Sequence, residues 1–405
     1  VGRLSRHIAA SILIVVAFFA LVPGAASAAT PSSPPVYAPS ATLTTGDGTV
    51  LWSKNPGAHR RVASTIKLLN ALVVRDQVDL DKVITVSKEA AAIDNGTVGL
   101  TRGQKLTVRQ LLNIMLVHSA NDAAEALAVG IAGSEKKYVA LMNAKAKELG
   151  LKHTKATDPH GLGKQETCSA EDLAVIAKHV LADPVLRGIV RQTSVKVPRA
   201  NGTVEVYSTT DQLLGNYRGI EGIKTGYTDP AGYCFVGAAK RNGVELIGVV
   251  LGAGGSSERF AQMRKLLDWG FAHTKAQRLV SAETTMGVVE VSGGAVPTVT
   301  VHAAKALGMT QFDGAEKLTT QVSLPPSVSA PIVAGQELGA VQVSRAGVLV
   351  ASVPLVADTP VEKVVSAVSE SHAGSATAST SATSGAWPWA QIVNVWAGLG
   401  RMLGI

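Results

Sequence analysis

Ser64-Thr65-Ile66-Lys67 puts a hydroxyl and an amine three residues apart, which is one face of a helix if the segment is helical. Apolar residues recur around it at Ile66, Leu69, Leu72 and Val73, after Val62 and Ala63. The spacing predicts a buried helix with Ser64 at its N-terminus and Lys67 one turn along. A serine hydroxyl is a weak nucleophile until a base takes its proton. Lys67 can be that base only when neutral, and burial together with a second cation, for which Lys224 is the candidate, would depress its pKa. The helix N-terminus supplies backbone N–H groups for developing negative charge, with that of Ser64 as half of an oxyanion hole.

Two further strings follow in order. Ser119-Ala120-Asn121 lies between the apolar stretches 111–117 and 123–132. A polar pair on a tight connection between two buried helices aims its side chains into a cleft. Ser119 is expected to relay protons between Lys67, Lys224 and a leaving group. Asn121 either bonds a substrate amide or caps the following helix, since Asn is among the best N-caps.

Lys224-Thr225-Gly226 comes before a strand-like stretch with Tyr233, Phe235 and Val236, then the turn residues Asn242-Gly243, then Leu246 to Leu251. This is expected to form a central antiparallel hairpin. An extended substrate could then pair along the Lys224 strand as an added edge, with the Tyr227 N–H completing the oxyanion hole. Lys224 and Thr225 would hold a terminal carboxylate, and Gly226 would leave room for the substrate backbone. Single matches mean little: Ser134-Glu135-Lys136-Lys137 and Ser53-Lys54-Asn55 fit the first two patterns but fall out of order, and Ser134 reads as a helix N-cap. The ordered triple is what carries information.

The S-x-x-K, S-x-N and K-T-G set is that of penicillin-binding proteins and class A β-lactamases. Segments 63–73, 99–133, 156–177 and 213–252 resemble the low-molecular-mass penicillin-binding D-alanyl-D-alanine carboxypeptidases of serine peptidase family S11. Asp158-Pro159-His160-Gly161-Leu162, Ser169-Ala170-Glu171-Asp172-Leu173 and Gly219-Ile220-Glu221-Gly222-Ile223 share in the likeness. The resemblance implies a penicillin-sensitive enzyme that removes the terminal D-alanine of peptidoglycan pentapeptides, with β-lactams as covalent inhibitors and no metal or cofactor. It also implies a carboxylate-binding role for Arg259; otherwise Arg259 is a surface helix residue. Ala120 stands where the family more often has Gly, and Tyr227 where some members have His. Family members usually have His near Glu166, Arg near Glu171, and an Asn-rich string at Ser208-Thr209-Thr210-Asp211. A class A β-lactamase should add a Glu-x-x-Leu-Asn string, which this chain lacks, and a catalytically silent wall or sporulation protein would be expected to lose Ser64 or Lys67.

The chain of 405 residues is 46% hydrophobic, enough for more than one core. Its formal charge of +8 is spread without basic runs, so nucleic acid is not an expected partner, and anionic wall polymers and headgroups fit better. Arg3 and Arg6 before an apolar run, then Ala26-Ser27-Ala28, read as a secretory signal over 1–28. A Pro/Ser-rich leader covers 29–39, and a strand pair around Gly46-Asp47-Gly48 opens the catalytic domain over 40–275. Residues 276–368 alternate Val and Thr and are expected to form a small all-β domain. A flexible linker over 369–386 leads to a stripe of Trp387, Trp389, Ile392, Val393, Trp396, Leu399 and Leu403, an amphipathic helix over 387–405 suited to anchoring at a membrane surface. The expected class is thus α+β: a β-lactamase/transpeptidase-like domain, with an antiparallel sheet flanked by helices plus a helical subdomain, followed by the β domain. Localisation would be exported, at the outer face of the cytoplasmic membrane. Cys168 and Cys234 read as buried small residues, with a bridge left open.

Overall fold

The computed structural model describes residues 31–282 and 284–364. The expected signal, linker and anchor fall outside the described residues. Among the described residues, no helix is long and apolar enough to cross a membrane.

The first half is built on a five-stranded antiparallel sheet whose order is Val50–Lys54, Ser40–Thr45, Val244–Ala253, Gly232–Arg241, Ile220–Thr228. Its middle strands bury both faces. Leu246 and Val250 point into one core with Phe260, Met263, Leu266 and Leu267 of helix Ser256–Ala272. Ile247, Val249 and Leu251 point into the other, shared with helices Lys67–Gln77 and Ala170–Ala182. Residues two apart share a face, so a strand covered on both sides reads as a continuous apolar run. Asn242 and Gly243 both take positive φ, 48° and 82°, which matches the turn needed to join two twisted strands.

Helix Lys67–Gln77 is buried nearly all round, with Leu68, Leu69, Ala71, Leu72, Val73 and Val74 inside. A helix with no polar face belongs in the middle of a domain. It is surrounded by the helical subdomain, including Asn121–Ala132 and Glu135–Glu148; Ser134 caps the latter by accepting from the Lys137 N–H. Ser169 likewise caps helix Ala170–Ala182 at the Asp172 N–H.

Lys224-Thr225-Gly226 lies within strand Ile220–Thr228, so the string that comes before the Tyr233 stretch forms a strand of its own, as pairing of a substrate along it requires. Lys224 and Thr225 are polar yet 1% and 4% exposed, because the site covers them, and that interrupts the apolar pattern of an ordinary strand. The strand lies at the sheet edge, with Lys224 opposite Val236 and Gly226 opposite Cys234.

The second half is a curled six-stranded sheet plus a two-stranded ribbon of Thr274–Val280 with Leu307–Phe312. Strand Thr298–Ala303 buries Val299, Val301 and Ala303 and turns its alternate residues outward, so the Val/Thr alternation becomes one wet and one dry face.

Candidate active site

Ser64 lies in a tight turn, Ala63–Ile66, that runs directly into helix Lys67–Gln77. Two glycines make room for that turn. A Cβ on Gly226 would come within 2.8 Å of the Val62 carbonyl oxygen and 3.0 Å of the Ser64 nitrogen. On Gly161, at φ +93°, it would come within 2.3 Å of the Ala63 oxygen. Gly226 is therefore required first by the close approach of the backbone around Ser64, a different reason from the substrate clearance expected of it.

Lys67 is fully buried, and its Nζ donates to Ser64 Oγ at 2.7 Å, Asn121 Oδ1 at 2.5 Å and the His160 carbonyl oxygen at 2.9 Å. Three oxygens meet the three hydrogens of an ammonium. Loss of one proton leaves two of these bonds and turns a lone pair toward Ser64, whose hydroxyl then donates. Burial drives the loss: the Lys67 pKa falls to about 7, although Asp158, Glu166 and Asp122 oppose the fall.

Asn121 does not cap its helix. Ala120 occupies the cap position, and the Asn121 side chain accepts from Lys67 while donating to the Asn95 carbonyl at 2.6 Å, which fixes its amide. The neighbouring Asp122 carboxylate accepts from the N–H groups of Val98 and Leu100 and so secures the 95–100 loop over the site.

His160 contributes a backbone carbonyl that side-chain reasoning does not reveal. Asp158 positions it by accepting from the N–H groups of His160 and Gly161 at 2.8 and 2.6 Å. Burial would raise the Asp158 pKa, but the hydrogen bonds and charge of the His160–Gly161 turn hold it down at about 2. The available signal was the Asp-Pro-His-Gly string, since an Asp side chain commonly bonds the backbone just after it.

Ser119 ends a π-helical turn in the left-handed region, φ 70°, and lines the cleft. Its hydroxyl makes no hydrogen bond among the described residues, and the two lysines are bonded elsewhere. Lys224 Nζ donates to the Thr225 carbonyl at 2.9 Å. Its pKa falls well below the usual value through burial first, then the Lys67 and Arg259 charges, so the cation–cation repulsion registers on Lys224.

Thr225 Oγ1 lies 2.6 Å from Thr210 Oγ1, which belongs to the string that stands where family members usually have an Asn-rich one. Arg259, on the first turns of its helix, is 8% exposed, lines the cleft and donates to the Gly226 carbonyl at 3.0 Å. It is no surface arginine. Tyr227 is exposed and stacks on Tyr233 with ring centres 4.2 Å apart.

The cleft over these groups encloses about 580 Å³, and Ser64, Ser119, Asn121, Thr225, Gly226, Tyr227 and Arg259 all reach it. Lys67 and Lys224 lie behind the wall. Glu166 does not line the cleft; it is buried, with neither oxygen hydrogen-bonded among the described residues, and burial pushes its carboxyl well above the usual range. Cys168 and Cys234 are buried and unpaired. The arrangement can generate a serine alkoxide equivalent beside an edge strand and hold a carboxylate nearby.

Known proteins match this construction. A family model described as D-alanyl-D-alanine carboxypeptidase, peptidase family S11, covers residues 27–255, and one for the penicillin-binding protein 5 C-terminal domain covers 275–363. DacF of Bacillus subtilis, a D-alanyl-D-alanine carboxypeptidase, is 31% identical over 78% of this chain and 83% of its own. DacB2 of Mycobacterium tuberculosis, with the same description, is 39% identical over 56% of this chain and 79% of its own. Among solved structures, penicillin-binding protein 5 of Haemophilus influenzae is 27% identical, covers 82% of this chain and all of its own, and superposes with a TM-score of 0.65. Sequence, fold and site together place the chain in the D-alanyl-D-alanine carboxypeptidase family S11, as a serine hydrolase with carboxypeptidase activity.

Proposed function

We propose that this carboxypeptidase removes the terminal D-alanine from peptidoglycan pentapeptide stems through a Ser64 acyl-enzyme, and that penicillin inhibits it by opening its lactam ring to form an ester with the same serine. Ser64 Oγ attacks the penultimate D-alanine carbonyl while its proton passes to neutral Lys67. The N–H groups of Ser64 and Tyr227 receive the oxyanion, and Ser119 and Lys224 serve the departing amine. Asn121 bonds the substrate amide. Lys224, Thr225 and Arg259 hold the terminal carboxylate, a task that suits a guanidinium. Water then cleaves the ester.

The observation that supports this most is the meeting of the Lys67 amine with Ser64, Asn121 and the His160 carbonyl in one buried cluster under an open cleft. The test is to incubate the protein with a diacyl-Lys-D-Ala-D-Ala peptide and assay free D-alanine: the intact protein should release it and Ser64→Ala should not. Labelled penicillin should attach to the first and not to the second. Rapid penicillin hydrolysis without D-alanine release would favour the β-lactamase reading instead. We further read 40–275 as the catalytic unit and 276–368 as a β unit, in a protein exported and held at the membrane surface by residues 387–405.

A further inference from the structure

We propose that His59 and His153 form a surface site for a divalent transition-metal ion that favours a square or tetragonal shell, Cu(II) above all. Neither histidine lines the cleft, so the site stands apart from the reaction above. His59 Nε2 and His153 Nδ1 lie 2.9 Å apart, and the two rings meet edge to face with centres 4.8 Å apart. Two metal–imidazole bonds of about 2.05 Å that meet at about 90° place their nitrogens about 2.9 Å apart, whereas a tetrahedral angle places them about 3.3 Å apart. The observed spacing is that of neighbouring corners of a square, the geometry of Cu(II) and Ni(II). Among the described residues no group of three or more ligating side chains converges, so water completes the shell. His59 is exposed and leaves room for it.

The imidazole pair is held in place from behind. Glu171 Oε1 lies 3.1 Å from His153 Nε2. A carboxylate there accepts the Nε2–H, and that tautomer leaves the Nδ1 lone pair turned toward His59, the arrangement usual for metal-binding histidines. The His153 N–H donates to Asp172 Oδ2 at 2.8 Å, and the Glu171 N–H donates to the Pro56 carbonyl at 3.1 Å. Beside His59, Arg60 and Cys168 exchange both backbone hydrogen bonds at 2.9 Å. Gly57 leaves the space these groups need: a Cβ on it would come within 3.0 Å of His153 Nε2 and 3.1 Å of Glu171 Oε1. Three stretches of chain, 56–60, 153 and 168–172, are thus pinned around the pair.

The competing occupant of the gap is a proton, with His59 donating from Nε2 to His153. At an exposed ring such a bond replaces one that water also offers, so it is a weak competitor. An ion displaces it once His59 carries its hydrogen on Nδ1. Glu171 makes the site particular to this chain, since related carboxypeptidases usually have Arg near this position. A guanidinium there would leave His153 Nε2 without its acceptor and add a positive charge beside the ion.

The test titrates the full chain, free of any affinity tag, with Cu(II), Ni(II) and Zn(II) in turn. Binding is followed by calorimetry and, for copper, by the nitrogen splitting in its electron paramagnetic resonance. One copper per chain with two imidazole nitrogens is expected, bound more tightly than Ni(II) or Zn(II). His59→Ala and His153→Ala should each weaken it tenfold or more. Glu171→Gln should weaken it about 10- to 100-fold, the usual loss when the partner of a metal-bound histidine is removed, and Glu171→Arg at least as much. Copper at about a hundredfold over its Kd should raise the thermal midpoint of the parent by several degrees and leave that of the His59→Ala, His153→Ala double variant in place. Attachment of labelled penicillin reports that each variant is folded, so copper lost from a variant that still takes penicillin is the site lost. Copper held as tightly by the double variant as by the parent, or a spectrum without two nitrogens, would overturn the proposal and leave the carboxypeptidase reading untouched.

Discussion

If Lys67 is the base that activates Ser64, the acylation rate must follow the neutral fraction of one buried amine. Burial sets its pKa to about 7 against 10.5 for an ordinary lysine. The fraction without a proton then rises about 30-fold between about pH 5.5 and about pH 8.5, with a slope near one log unit per pH unit on the acid side and a plateau above. The assay is the second-order rate constant for attachment of labelled penicillin, which isolates acylation from ester hydrolysis. Two other buried carboxyls are pushed into the same range: Glu125, on helix Asn121–Ala132, up to about 7, and Asp211 up to about 6. Neither lines the cleft, so Glu125→Gln and Asp211→Asn should each leave the midpoint in place. A rate that is flat with pH, or a midpoint near 10, would refute the assignment of Lys67 as the base. A midpoint that moved with Glu125→Gln would assign the titration elsewhere.

Other changes test separate parts of the site. Gly226→Ala should lower D-alanine release by about 100-fold, the order of loss expected from displacing a reacting atom by about an ångström, because the added methyl meets backbone at 2.8 and 3.0 Å; a rate within threefold of the parent would show that the turn can yield. Arg259→Gln should raise KM about tenfold for peptides ending in a free carboxylate, on the scale of one charge-assisted bond, and should matter little for the same peptide ending in an amide. Tyr138→Phe should cost about 1 kcal/mol in urea unfolding, since the buried hydroxyl bonds Asn70 through Oδ1 at 2.9 Å and its carbonyl at 3.2 Å; kcat should not change.

What the sequence showed and hid follows from where each signal resides. Ser64 and Lys67 were legible as a pair because the turn of Ser64 runs directly into a helix whose Leu68, Leu69, Ala71, Leu72, Val73 and Val74 are apolar, and that forces burial. The hairpin around Asn242-Gly243 was legible because its turn chemistry is local. The Ile220–Thr228 strand was legible only through its Lys-Thr-Gly string and not through an apolar pattern, because its polar residues are buried by the site rather than by a core. The two readings of Asn121 could not be separated in sequence, since both use the same amide near a helix start. Tertiary contact with Lys67 and Asn95 decides it. The His160 carbonyl leaves no mark of its own, as every residue has one. The close approach that demands glycine at 161 and 226 involves segments about 100 and 160 positions apart, which no local pattern encodes.

The cost of the depressed lysine bears on why the site is built this way. In the unfolded chain Lys67 keeps its proton up to about pH 10.5, while in the folded protein it loses it near 7. Between those values the unfolded state binds more protons, so stability rises with pH across that window and is lowest below 7, where both states are protonated. The gap corresponds to roughly 5 kcal/mol of disfavoured burial for the charged form, a large share of the net stability of a domain. Asn121 and the His160 carbonyl offset part of it by satisfying two of the amine's hydrogens. They do so without a carboxylate in direct contact, and that distinction is chemical. A hydrogen-bonded carboxylate would restore the usual pKa and leave Lys67 unable to accept a proton. Asp158 and Asp122 therefore act one step removed, through the backbone of 160–161 and the 95–100 loop, which holds the amine in place while leaving its pKa near 7.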